Sequence, residues 1–272
     1  MVADPREKEL DERAIQIIEE THVAGRETRH NRAANLHAIH ELVQGMPNAT
    51  FGIKGVDRYS EQEVLDAVCY FTQCSNDINL TMGGGYISPQ STLKALKEAA
   101  GKIRAVSSWR GRFVVGTGHP GSLLSYYVKL VDLIQEWGGQ VLEAARGARI
   151  PPVYELDYFQ SVAVISDRAS IWHTHDTKPM EAILAEAGVV DLAVVDHGFA
   201  GAAINAQIPV ITIIDTNDPA PAVAKRRLGA DVLVVPMDDN RRLADYLPIV
   251  DLIRKYGELT DLRIVEQGDY VA

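Results

Sequence analysis

The spacing of apolar residues changes character near residue 112 of the chain. Before that point apolar positions recur at helical intervals. Leu10, Ala14, Ile17 and Ile18 line one face of a first helix, a second helix is predicted from about Glu27 to Val43, and residues 1–45 therefore read as a helical N-terminal segment. Helices are also predicted near Ser60 to Thr72 and Thr92 to Ile103, next to the turn-rich stretches GMPNATFGIKG and TMGGGYISPQ. Gly83-Gly84-Gly85 reads as a bare flexible turn rather than a ligand loop, because three glycines supply backbone freedom wherever a chain bends.

From residue 112 onward, short β-branched runs alternate with helical spacing. Strands are predicted at Phe113 to Gly116, Gln140 to Ala144, Ser161 to Ser166, Ala169 to His173, Leu192 to Asp196, Val210 to Asp215 and Val232 to Pro236. Helices fit at Leu123 to Trp137, stopped by Gly138-Gly139, and at Pro179 to Ala187, Ala200 to Ala206, Ala220 to Leu228 and Leu243 to Lys255. This alternation predicts an α/β fold, a three-layer doubly wound parallel sheet of flavodoxin-like or Rossmann-like type carrying the N-terminal helical extension. One domain spans residues 1–272, with 112–258 as its best-defined core. Ligands of such sheets bind beyond the carboxyl ends of the strands, near a topological switch point.

A chain of 272 residues suits one large domain, although length alone also permits two. A formal charge of −10 argues against general attraction to nucleic acid or anionic lipid, while leaving room for local basic pockets. No apolar run approaches the roughly 20 residues that cross a bilayer, and MVADPREKEL lacks a signal-peptide core, so a cytoplasmic protein is expected. Cys69 and Cys74, within a segment that reads as helical, are expected to be buried or partly buried free thiols. His22, His30, His37 and His40 fall in the N-terminal helices. The simplest reading packs those helices on the sheet or on a partner subunit in a homodimer, and the alternative gives them a share in the site.

Polar clusters end five of the predicted strands and point to one rim if the strands are parallel. In GTGHPGS, Gly116, Thr117, Gly118, Gly121 and Ser122 form a glycine-rich turn at a helix start that suits a phosphate, or else a tight turn in which Ser122 caps the helix. Its spacing matches neither a Walker loop nor a dinucleotide fingerprint, and His119 is either a ligand group or a hydrogen-bonded loop residue. In HTHD, His173 and His175 share a face of an extended segment. With Asp176, and with Asp196 and His197 of the next cluster, they could hold a divalent ion such as magnesium, manganese or zinc. Lys178, at a helix start, either holds a phosphate or is solvated. Asp215, Asn217 and Asp218, like Asp238, Asp239 and Asn240, could bind a metal ion, accept sugar hydroxyls or act as bases; they serve equally well as caps and turn formers.

The ordered set GTGHPGSLL, HTHDTKPMEA, VVDHGFAGAA, IPVITIIDTNDPA and VPMDDN resembles a bacterial, largely actinobacterial, family of proteins described as phosphatases. The resemblance runs from about Arg112 to Tyr246, with a weaker echo in HVAGRETRHNRAANL. Residues 200–240 are also similar to a segment of the second small-subunit ribosomal protein, a likeness that implies a flavodoxin-like sheet and not a ribosomal role. No D-x-D pair ends an N-terminal strand and no C-x5-R motif is present, so the familiar dehalogenase-type and cysteine phosphatase chemistries do not fit. HTHD is similar to the opening histidine pair of polymerase-and-histidinol-phosphatase metal enzymes, without the rest of that motif order.

The resemblance implies hydrolysis of a small phosphate monoester, such as a sugar phosphate, and the roles come from the chemistry of the strand ends. The Gly116 to Ser122 loop and Lys178 would hold the phosphoryl group, and His173, His175 and Asp176, with Asp196, would hold a metal or the charged oxygens. His119 or His197 would protonate the leaving oxygen, since imidazole titrates near neutral pH, and Asp196 stands with them as a catalytic candidate. The alternatives are a sugar-phosphate isomerase, with His119 or an aspartate as base, and a non-catalytic sensor of phosphorylated metabolites.

Overall fold

A computed structural model describes residues 5–26 and 28–268. Residues 1–4 of the opening MVADPREKEL, and Glu27, lie outside the described residues. The N-terminal part comprises α1 (Pro5–Glu20), α2 (Arg32–Val43), the short α3 (Pro47–Thr50), α4 (Glu61–Thr72) and the long α5 (Pro89–Ser108). Local chemistry sets the helix starts: Asn31 accepts the Ala34 N–H at 2.9 Å, Ser60 and Glu63 form a capping box, and Ser88 caps α5 just ahead of Pro89. The second helix thus begins at Arg32, because Asn31 caps it and Arg29 and His30 before it are bonded to Asp238 and Asp215 at the sheet's rim.

The remainder alternates as β1 (Arg112–Gly116), α6 (Pro120–Glu136), β2 (Gln140–Val141), β3 (Arg149–Ile150), β4 (Tyr154–Phe159), β5 (Val162–Ser166) and β6 (Ile171–Trp172). It continues with α7 (Lys178–Ala187), β7 (Leu192–Val195), α8 (His197–Asn205), β8 (Val210–Ile214), α9 (Pro219–Arg227), β9 (Val232–Pro236) and α10 (Leu247–Gly268). Main-path order is β3-β4-β5-β1-β7-β8-β9, with β5, β1, β7, β8 and β9 mutually parallel. None of the helices among the described residues is long and apolar enough to cross a membrane.

Period-two alternation along these strands divides the core. Phe113 and Val115 of β1, with Val162, Val164 and Val194, face α1, α5, α6 and α10; Val114, Ala163, Ala193 and Val195 face α2, α4, α7, α8 and α9. The result is the expected three-layer arrangement. The apolar stripe of α1 is covered from within the chain: Ala14 and Ile18 are fully buried against α5 and α10, so that stripe calls for no partner subunit.

Three expectations are corrected by the structure. The sheet is not wholly parallel, because β4 runs antiparallel to β5 and β3 to β4; the Glu155 and Asp157 charges in β4 interrupt the apolar run that marks a strand in sequence. The strand foreseen at Ala169 to His173 is only Ile171–Trp172, folded back antiparallel on β5. Cys69 and Cys74 form a disulfide instead of free thiols: Gln73 ends α4 in the left-handed conformation (φ 58°) and turns the chain back, leaving the two Cα atoms 4.7 Å apart.

The glycine run is likewise no bare turn. Gly85 donates to the His30 carbonyl at 3.1 Å, and Arg32 donates to the Gly83 carbonyl at 2.9 Å. A Cβ on Gly85 would strike Thr28 Oγ1 and the His30 carbonyl, so the position requires glycine for close approach rather than flexibility.

Candidate functional site

Strand β1 lies between β5 and β7, and the helices that follow β1 and β7 pass to opposite faces: α6 joins one core and α8 the other. The loops leaving β1 and β7 therefore part, and the crevice of a doubly wound sheet opens above them. A third segment enters it by an unexpected route. Gly116 at the end of β1 is level with Ala163, and β5 runs on to Ser166, where β6 pairs with it and returns the chain toward the crevice. The HTHD segment thus descends beside the β1 end, where Thr174 donates to the Gly118 carbonyl at 2.8 Å. It passes between Gly118 and Gly198, where a Cβ on Gly118 would meet the Thr174 carbonyl and one on Gly198 the carbonyls of His175 and Asp176.

This threading gathers the histidines. His173 Nε2 and His175 Nε2 face each other at 2.7 Å, and the two rings and His197 each offer a nitrogen within 4.8 Å of one another. Two of the three rings are oriented from behind. His175 Nδ1 donates to the Asn48 carbonyl at 2.6 Å, and His197 Nδ1 donates to Asp196 Oδ1 at 3.0 Å. For His175 this fixes the tautomer and leaves the Nε2 lone pair turned inward, as the outer partners of metal-bound histidines do, while for His197 the carboxylate orients the ring. His197 opens α8 with a φ of 47°, a left-handed conformation unusual for a side chain of its size. Phe51 packs against both the His175 and His197 rings, with centroids 5.0 Å away.

Asp196 is fully buried and its oxygens are all engaged. Thr117 Oγ1 donates to Oδ2 at 2.7 Å, while the Gly118 N–H at 2.6 Å and His197 share Oδ1. It therefore positions His197 and the β1 loop. That loop also spends its remaining donors internally: the Thr117 N–H goes to the Ala163 carbonyl at 2.9 Å, the His119 N–H to Thr117 Oγ1 at 2.9 Å, and the Ser122 hydroxyl to the Asp239 carbonyl. Gly116 to Ser122 consequently act as a frame for the histidines. The ring of free N–H groups expected for a phosphate cradle is not formed, and Gly121, in open space at the start of α6, is the position left to face an anion.

Beyond the histidines lie the ends of β8 and β9. Asp239 Oδ2 is 3.6 Å from His197 Nε2 and 3.2 Å from His119 Nδ1, the latter contact lying off the line of a hydrogen bond. His119, His197 and Asp239 offer a second cluster of convergent ligand atoms, and Asp215, Asp238 and Asp239 a third. Asp218 accepts the Asp215 N–H at 3.1 Å and closes the turn, Asn217 is half-buried, and Asn240 is exposed with its N–H on Asp238 at 2.9 Å. Of the N-terminal histidines, His30 reaches this rim, with Nδ1 2.8 Å from Asp215 Oδ2; His37 and His40 pair with Glu41 and Glu61 on the surface.

Asp176 does not join the histidine pair. Its Oδ1 accepts the Lys178 N–H at 3.0 Å, and Lys178 Nζ lies 3.5 Å from its Oδ2. The structure instead brings His197 to His173 and His175, because Gly198 lets the start of α8 approach the HTHD backbone. Asp176 and Lys178 line a cavity of about 620 Å³ beside His173 and His175, closed on its other side by Pro47, Asn48 and Gly52. Sequence reasoning gave His30 a share in the site only as the alternative reading of the N-terminal histidines, and missed Asn48. The echo in HVAGRETRHNRAANL was the available signal for His30; Asn48 acts through its backbone and carried none.

Burial, with the neighbouring imidazoles, lowers the His173 pKa to about 3 and the His175 pKa to about 4. Burial also opposes charge on His197, but the adjacent Asp196 outweighs it and lifts that pKa to about 9. The paired rings are thus neutral donors at pH 7, the state a metal ion requires. Stability follows with a definite sign. An ordinary histidine protonates near 6.5, so on acidification the unfolded chain binds protons at these two positions before the folded chain does. Their contribution is complete above pH 6.5 and is lost as pH falls through about 4. Melting of chelator-treated protein between pH 7 and 4 should show a steeper loss for wild type than for a His173→Ala/His175→Ala variant; equal slopes would refute the assignment.

Comparison with known proteins gives the family of the chain. A family model described as Phosphatase matches residues 8–259. A Streptomyces coelicolor (strain ATCC BAA-471 / A3(2) / M145) protein named phosphatase SCO2771 is 31% identical over 242 residues, covering 87% of this chain and 90% of its own length. The match takes in the N-terminal helices as well as the sheet, and the chain belongs to the Phosphatase family.

Proposed function

We propose that the chain is a metal-assisted phosphatase that hydrolyses a small phosphate monoester, such as a sugar phosphate, in the crevice above β1. The observation that carries this reading is the facing pair of Nε2 atoms of His173 and His175, 2.7 Å apart, with His197 completing a set of three nitrogens. Two neutral imidazoles at that distance can share at most one N–H, whereas a divalent cation would take a lone pair from each and, by displacing the His197 proton, from all three. A bound ion would polarise a phosphoryl oxygen and lower the pKa of a coordinated water.

The chain's own groups divide the remaining work. Asp196 and Asn48 hold the imidazoles in register. His119, partly exposed and backed by Asp239, protonates the leaving oxygen, and its pKa is raised because Asp239 outweighs the effect of burial. Gly121, at the amino end of α6, offers its N–H to a phosphoryl oxygen. The cavity lined by Asn48, Asp176 and Lys178 receives the leaving group, and its polar walls suit a hydroxylated metabolite better than an apolar one. Phosphate release from a panel of phosphorylated metabolites tests this, using metal-stripped protein with and without magnesium, manganese or zinc. Release that depends on one of these ions is expected; no release from folded, metal-loaded protein across the panel would sink the proposal.

A further inference from the structure

The substrate proposed above carries about two negative charges into a crevice walled by the buried carboxylates Asp196, Asp215, Asp218, Asp238 and Asp239. Because Thr117, Gly118 and His119 of the β1 loop have spent their N–H groups and Gly121 alone is left to face an anion, a cationic side chain would add to the recognition. Arg241 is committed, with Nε 2.8 Å from Asp238 Oδ2. Arg32 is also committed: it is buried and donates to the Leu80 and Asp77 carbonyls, both at 2.9 Å.

Arg29 differs from both. Its backbone N–H is fixed on Asp238 Oδ2 at 2.7 Å, while its side chain is exposed and its guanidinium makes no hydrogen bond or ion pair among the described residues. The segment that carries it is held at several points. His30 is bonded to Asp215, Gly25 and Asn31 pair with Ile87 and Gly84, and Gly85 presses on Thr28 and His30. The residues flanking Arg29 are thus anchored at the ends of β8 and β9, and its exposed side chain, unpaired among the described residues, starts from that rim.

We infer that Arg29 is a substrate-binding residue whose guanidinium takes two phosphoryl oxygens of the monoester. This rests on the phosphatase reading and adds a cationic group to the Gly121 N–H that reading already uses. A planar guanidinium matches a phosphoryl group through two parallel N–H···O bonds, which a lysine cannot reproduce.

Calorimetric titration of metal-loaded protein with inorganic phosphate tests the inference. Arg29→Ala is expected to weaken phosphate binding about tenfold or more, and Arg29→Lys to recover only part of the loss. Arg26→Ala, a neighbouring exposed arginine, should bind as wild type. Metal content and melting temperature should be unchanged in all three variants, since Arg29 and Arg26 are exposed and the Arg29 side chain has no partner among the described residues. Wild-type affinity in Arg29→Ala would overturn the role of Arg29 and leave the phosphatase reading intact. Failure of metal-loaded wild type itself to bind phosphate would overturn both.

Discussion

His175→Ala is expected to lower kcat/KM for phosphate release by at least about 10³, because loss of the ion forfeits several kcal/mol of transition-state stabilisation and each 1.36 kcal/mol is tenfold. The substitution removes one of the two facing Nε2 atoms and leaves His173 opposite a gap. Its structural cost is small. The Asn48 carbonyl that loses its donor lines an open cavity where water can replace it, and Phe51 loses one edge contact. The variant should therefore melt close to wild type in the presence of chelator, where neither protein holds an ion, and elemental analysis should find it depleted of metal. A variant that keeps its metal and its rate would show that the ion and the chemistry lie elsewhere. One that keeps its metal and loses its rate would make His175 a reacting group and not a ligand.

The sheet was legible in the sequence because its parallel strands are apolar on both faces. Runs such as FVVG and VITII carry that signal without tertiary help. The antiparallel margin was not. YELDYF alternates charge with apolar residues and buries only Leu156 and Tyr158, and β6 is two residues long, held by its pairing to β5. The candidate site was legible as a list of strand ends and not as a partition of roles. His173 and His175 were readable because period two places both on one face. That Asp176 would turn away and His197 arrive depends on Gly198, whose meaning appears only when the HTHD backbone lies against it. The same limit hid the duty of GTGHPGS: its residues suit an anion in isolation, but Asp196, distant in sequence, takes its donors.

Asp196 yields the other large effect, of a different kind. In Asp196→Asn the retained Oδ1 can still accept from the Gly118 N–H and His197 Nδ1, and the new amide can donate to Thr117 Oγ1, which rotates from donor to acceptor. The fold should survive with a loss of about 1–3 kcal/mol, the scale of a weakened buried charge-assisted bond. What disappears is the charge behind His197. Burial alone lowers the pKa of that ring, and without the carboxylate it becomes a weaker donor in a less fixed orientation. Metal affinity should fall about 10–100-fold, the usual cost of losing such an outer partner. Raising the metal concentration should then restore much of the rate to Asp196→Asn and little to His175→Ala. Equal failure of both variants at saturating metal would place Asp196 among the groups that act on the substrate; unchanged metal affinity in Asp196→Asn would remove its orienting role.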